Sequence, residues 1–177
     1  DWSSDVCSSD LKNFEYKMED KTVHLYYVRH GETLFNHYNR MQGRSDSPLT
    51  AQGIEQVKLS GKALHNIDFA FAYCSSAERA RDTAAYILET HDISAIPNRD
   101  LREIDFGTYE ARVRDSIMDE LYERFNPRVD FSDVGGESEE QVIERIKRIL
   151  TLAVARAKDK ENVLLVAHGS LYMTMIK

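Results

Sequence analysis

The residues of this chain best able to do chemistry fall in two stretches that echo each other. Residues 26–33 read YYVRHGET and residues 164–171 read LLVAHGSL, so each apolar run leads directly into a His-Gly pair. Apolar runs of this length, with no polar alternation, read as buried parallel strands. Ligands of open α/β sheets bind outside the carboxyl ends of such strands. His30 and His168 can therefore project into one crevice. Arg29 directly precedes His30, and Arg79 falls in the first turn of the helix expected after another apolar run, where free N–H groups and the helix dipole favour an anion. Guanidinium forks match phosphate oxygens, so two arginines, two histidines and a helix start describe a phosphate pocket.

Zinc is the competing use for two histidines. The flanking arginines would repel a metal ion, and no HExxH, CxxC or second carboxylate cluster accompanies the pair. No metal and no cofactor are expected. His24, His37, His65 and His91 lack the repeated strand-end placement and read as ordinary hydrogen-bonding residues.

The elements that would position these groups alternate in type. Residues 22–28, 67–74 and 162–167 read as strands. Residues 49–64 read as a helix capped by Thr50, with Ile54, Val57, Ala63 and Leu64 towards the core and Gly53 as a weak point. In the helix read at 75–90, Ser75 and Glu78 have capping-box spacing. The stretch from His91 to Gly136 is less regular, with a short helix expected near 115–125. Ser138 and Gln141 form a second capping-box pair. The helix they open carries Val142, Ile146, Ile149, Leu150, Ala153 and Ala157 on one stripe, with its charges, including the Glu144–Arg148 pair, on a solvated face. Strands alternating with helices imply parallel βαβ units, hence an α/β fold: a three-layer α/β/α sandwich with a mostly parallel central sheet.

Length and charge narrow the class. A chain of 177 residues, 42% of them hydrophobic, supports one domain. A net charge of −7 argues against a nucleic-acid or anionic-membrane partner, so an anionic ligand must be held by a local positive pocket. Two cysteines, Cys7 and Cys74, without CxxC spacing suggest a reducing, cytoplasmic setting. Residues 1–10, DWSSDVCSSD, resemble translated sequencing-adapter read-through and are set apart as a non-native leader. Residues 11–177 are then a single domain. It ends inside the apolar segment HGSLYMTMIK without a cap, Gly or Pro, and is expected to be C-terminally truncated.

RHGET (29–33), Asn36, QG (42–43), DSPLTAQGIEQ (46–56), SSAERARDTA (75–84), LREIDFG (101–107), GES (136–138) and AHG (167–169) occur in an order that resembles the histidine phosphatase superfamily, the phosphoglycerate mutase-like proteins. RHG alone is weak, but spaced motifs in matching order over residues 22–177 are specific.

The resemblance implies a covalent mechanism. His30 would attack phosphorus to give a phosphohistidine, with Arg29, Arg79 and His168 on the phosphoryl oxygens and Asn36, Gln42, Gly43 and Gly169 completing the pocket. Neighbouring positive charge would keep His30 unprotonated. One carboxyl group should protonate the leaving alkoxide and later deprotonate water. Spacing leaves Glu103, Asp105 and Glu110 open; similarity to the family's L-x-E-x-x-x-G segment selects Glu103. Many family members have Glu-Gly where this chain has Glu110-Ala111. The segment 111–134 is expected to cover the substrate, and Arg112, Arg114 and Tyr122 are candidates to read a second anionic group, against the plainer reading of a solvated helix face. The function implied is hydrolysis of a small phosphorylated metabolite. A cofactor-dependent phosphoglycerate mutase and a non-catalytic phosphate-binding relative are the alternatives; LREIDFG in place of an ERHYG-type segment disfavours the mutase. Oligomeric state is unknown.

Overall fold

The computed structural model describes the strand at residues 12–18 and residues 21–176. The leader read at residues 1–10 lies outside the described residues. Five strands form one sheet: β1 (Lys12–Met18), β2 (Lys21–Arg29), β3 (Phe69–Ser75), β4 (Ala95–Asn98) and β5 (Asn162–Ala167), in the spatial order β1-β2-β5-β3-β4. β2, β5, β3 and β4 run parallel, and β1 pairs antiparallel with β2. β1 and β4 were not legible in the sequence. Pro97, within the stretch expected to be less regular, lies in β4 at the sheet edge, where a missing N–H is tolerated.

Alternate residues of β5 face opposite layers. Val163, Leu165 and Ala167 join Leu25, Tyr27 and Phe71 in one core; Leu164 and Val166 join Val28, Ala72 and Cys74 in the other. The first core is covered by α5 (Glu139–Arg156) and α6 (Gly169–Met175), the second by α2 (Ala51–Leu64) and α3 (Glu78–Ile87). Two buried faces explain why these strands are apolar without alternation. α1 (Leu34–His37) and α4 (Met118–Phe125) complete the helices. Among the described residues, no helix is long and apolar enough to cross a membrane.

Two caps form as the spacing predicts. Thr50 accepts the Gly53 N–H, and Ser138 with Gln141 makes a reciprocal capping box. The third does not. α3 starts at Glu78 after an Ala77 cap without a side-chain bond, because Ser75 ends β3. Gly53 also departs from its reading as a weak point: a Cβ there would lie 2.1 Å from the Glu32 carbonyl oxygen, so its bareness lets the loop after β2 press against α2. On the same helix Ala63 is exposed, while Ser60 and Gly61 are buried. At Gly61 a Cβ would stand 3.2 Å from the Tyr86 carbonyl, which is the close approach of α2 to α3.

The segment expected as a cover is fastened to the body. Ile117, Leu121, Val129 and Phe131 are buried in the first core, and Phe131 packs edge-on to Phe106, Tyr109 and Phe125. Nor is every charge of α5 solvated. Arg145 is buried, paired with Glu137 at 2.9 Å, and donates to the carbonyls of Asp100 and Arg102, which holds the 100–103 turn in place.

Candidate active site

The strand order makes the two His-Gly pairs neighbours. β2 and β5 are adjacent and parallel, with Arg29 opposite Ala167, and the His30 N–H donates to the Ala167 carbonyl at 3.0 Å. The imidazoles meet edge-on with ring centroids 5.2 Å apart. Ser75 closes β3 on the other side of β5, so three strand ends converge where β5 inserts between β2 and β3, the crevice such sheets use for ligands.

His30 is buried in the loop after β2. Its Nδ1 lies 2.8 Å from the Gly31 carbonyl oxygen. A carbonyl only accepts, so Nδ1 carries the proton and Nε2 keeps its lone pair. Burial above all, then the charges of Arg79 and Arg29, holds this histidine well below its ordinary pKa, outweighing the Gly31 carbonyl. Both observations favour a neutral ring with the Nε2 lone pair free. The loop is fixed by small residues: a Cβ on Gly31 would strike Val57 and the Gly53 carbonyl, and the Gly31 N–H donates to Thr83 Oγ1.

Arg79 is fully buried in the first turn of α3. Nη1 donates to the Ser45 carbonyl and to Asp46, and Nη2 donates to the Gly43 carbonyl and to His168 Nδ1. These contacts use its four Nη hydrogens, and Nε–H is left as a buried donor without a partner among the described residues. Arg29 is exposed and forms no hydrogen bond or ion pair with the described residues. It lies against Gly169, where a Cβ would be 3.5 Å from Arg29 Nε.

Both ring nitrogens of His168 are engaged by protein, Nδ1 with Arg79 at 3.1 Å and Nε2 with Ser75 Oγ at 2.8 Å. The Tyr27 hydroxyl accepts the His168 N–H and donates to its carbonyl. Gln42 is buried, with Oε1 accepting from Thr33 Oγ1 and Nε2 donating to Ser47 Oγ. Asn36 uses Oδ1 in the α1 capping box with Thr33, and its Nδ2 hydrogens have no partner among the described residues. At Gly43 a Cβ would sit 2.2 Å from the Ile104 carbonyl, and its N–H goes to Glu110.

The three candidate carboxylates separate by what they touch. Glu110 accepts the N–H groups of Gly43, Arg44, Ser45 and Phe106 and the Ser45 hydroxyl, which organises the QG loop. Asp105 accepts the Gly107 N–H and pairs with Arg44 at 3.5 Å. Glu103 is buried and accepts the N–H groups of Ile104, Ser170 and Leu171, which ties it to the first turn of α6. Of the side chains considered for a second anionic group, Arg112 pairs with Glu120 and stacks on Tyr109, and Tyr122 is 71% exposed. Arg114 is half-buried and forms no ion pair among the described residues, in the field of Arg29 and Asp115.

Sequence reasoning missed Ser75, Thr83, Asp46 and Tyr27 as parts of this site. Only Ser75 carried a signal, its place at a strand end, and that was read as a helix cap.

Fold and site together define an α/β sandwich with an imidazole–guanidinium pocket. The family model for the histidine phosphatase superfamily (branch 1) matches residues 25–177, and the chain belongs to that superfamily. It is 36% identical over 151 residues to the probable phosphoglycerate mutase GpmB of Klebsiella pneumoniae, covering 83% of this chain and 70% of that protein. It is 29% identical over 158 residues to the adenosylcobalamin/alpha-ribazole phosphatase of Escherichia coli, covering 87% and 77%. The phosphoglycerate mutase structure from Bacillus anthracis superposes with a TM-score of 0.79 at 29% identity, covering 96% of this chain and 80% of that one.

Proposed function

We propose that the protein hydrolyses phosphomonoesters of a small metabolite through a phosphohistidine at His30. The observation that carries this is the state of His30: Nε2 keeps its lone pair, the ring is held unprotonated, and the nearest cations retain unspent donors. Nε2 attacks phosphorus and the ester P–O bond breaks. Glu103 passes a proton to the leaving alkoxide. Water then attacks phosphorus, Glu103 takes up a water proton, and the P–N bond breaks to release inorganic phosphate and restore His30.

Arg29 and the Nε–H of Arg79 stabilise the charge on the phosphoryl oxygens in the in-line transition state. His168 acts by holding Arg79, and Gly43 does so through its carbonyl. Asn36 Nδ2 and the remaining Gln42 Nε2 hydrogen complete the donor set, and Gly169 adjoins the Arg29 side chain at ordinary contact distance. Glu103 is preferred over Asp105 and Glu110 because its partners Ser170 and Leu171 adjoin His168-Gly169, whereas the partners of Glu110 lie in the QG loop and at Phe106. Arg114 is the specificity candidate for a second anionic group. The free, buried Cys74 thiol, which burial pushes up to about 11, suits a reducing cytoplasm. No nucleic-acid or membrane partner is proposed.

Phosphate release from an aryl phosphate in EDTA, by the wild type and by His30→Ala, tests the reading. Release is expected only with His30 present, and undiminished hydrolysis by the variant would end it. Interconversion of 3- and 2-phosphoglycerate without net phosphate release would instead favour a mutase.

A further inference from the structure

Ser75 is fully buried at the end of β3. Its spacing to Glu78 resembles a cap, yet its hydroxyl oxygen accepts only the Ala77 N–H from the chain that follows, and lies 2.8 Å from His168 Nε2. The proton position on His168 follows from its other contact. Arg79 Nη2 stands 3.1 Å from His168 Nδ1. A guanidinium has donors and no acceptor, so that contact forms only when Nδ1 carries a lone pair. A neutral imidazole then has its single hydrogen on Nε2, directed at Ser75 Oγ. The fully buried ring beside Arg79 is held neutral: burial first, then Arg79, His30, Arg145 and Arg29, lowers it well below the ordinary histidine value.

We propose that Ser75 is a positioning residue of the phosphate site: by accepting the His168 Nε2–H it fixes the tautomer that lets His168 hold Arg79. The chain of contacts runs from Ser75 Oγ through both nitrogens of His168 to Arg79 Nη2. With the acceptors from Gly43, Ser45 and Asp46 it settles the guanidinium plane so that Nε–H is the donor left over. Without the Ser75 oxygen, the His168 N–H is buried unpaired, and moving the proton to Nδ1 sets N–H against N–H at Arg79. Either outcome lets the guanidinium shift. This inference rests on the phosphatase reading only for its consequence on rate; the tautomer stands apart from it.

The test begins with the full chain as it exists, unliganded, by long-range 1H–15N correlation of the histidine rings near neutral pH. His168 is expected as the neutral Nε2-protonated form. A ring protonated on Nδ1, or on both nitrogens, overturns the proposal whether or not the protein turns over substrate. Ser75→Ala should lose or mix that tautomer. It should also weaken competitive inhibition by inorganic phosphate and lower kcat for an aryl phosphate, each by about 5- to 150-fold, the range set by leaving one buried donor unpaired. Ser75→Thr, which keeps the hydroxyl, should restore the tautomer. A Ser75→Ala protein that is less stable but keeps the wild-type tautomer and phosphate inhibition would make Ser75 structural only and refute the proposal. An inactive wild type with the expected tautomer would sink the phosphatase reading and leave the placement of Ser75 standing.

Discussion

Glu110→Gln removes one charge and no volume, yet it should cost the protein heavily. In the wild type one oxygen accepts the N–H groups of Arg44 (2.8 Å) and Phe106 (3.2 Å), while the other accepts those of Gly43 (3.1 Å) and Ser45 (3.0 Å) and the Ser45 hydroxyl. An amide keeps only one acceptor oxygen and must turn its NH2 towards at least two backbone donors. Each unsatisfied donor costs about 1 to 3 kcal/mol, so the substitution should destabilise by about 2 to 6 kcal/mol, a large part of the roughly 5 to 15 kcal/mol that holds a domain together. Activity should fall as well, because the loop Glu110 fastens provides three of the four acceptors for the Arg79 Nη groups. Urea unfolding should show the midpoint falling with an unchanged slope, and kcat/KM on an aryl phosphate should drop at least about tenfold, about 1.4 kcal/mol of transition-state binding. A loss below about 1 kcal/mol with unaltered turnover would refute the loop-organising role, since the penalty of orphaned donors sets that floor.

Ala111 holds a φ of 62°, in the left-handed region that favours glycine. That conformation costs an L-residue about 1 to 2 kcal/mol, and glycine's extra unfolded-state freedom returns about 0.4 to 1 of it. Ala111→Gly should therefore stabilise by about 0.5 to 1 kcal/mol, and a lower urea midpoint would contradict this. His30 and His168 are both held below their unfolded values. As pH falls through about 6.5 the unfolded chain binds two protons that the folded protein does not, so stability should decline by up to about 1.4 kcal/mol per pH unit for each histidine. The decline continues until the folded rings titrate, and unfolding curves for His30→Ala should show a slope shallower by about one proton. Arg114→Gln should raise KM more for a phosphate ester bearing a carboxylate than for an aryl phosphate; equal effects on both would remove Arg114 as a specificity residue.

The motif-bearing strands and most of the helix ends were legible in the sequence because they rest on local signals: apolar runs with two buried faces, and caps at fixed spacing. β4 carries the weaker signal of a short edge strand with a proline, and β1 pairs only with β2, so both depend on tertiary neighbours. The placement of His30 beside His168 could be inferred from two repeated strand ends. The donor accounting could not. That Glu110 serves the QG loop, that Arg145 is inward among Val142, Ile146 and Ile149, and that Ser75 serves His168 are facts of long-range pairing. None alters a period or a cap that sequence reasoning can read. Gly53 shows the same limit, since its bareness answers to Glu32 across the fold rather than to its own helix.

The central claim is that phosphorus becomes bonded to His30. Rapid acid-free quenching during turnover of an aryl phosphate, followed by digestion and mass spectrometry under alkaline conditions, tests it most directly. A phosphoryl group is expected on the peptide containing His30, stable in base, lost in acid, and absent from His30→Ala. A phosphoryl group on another residue, or turnover that persists without His30, would contradict it.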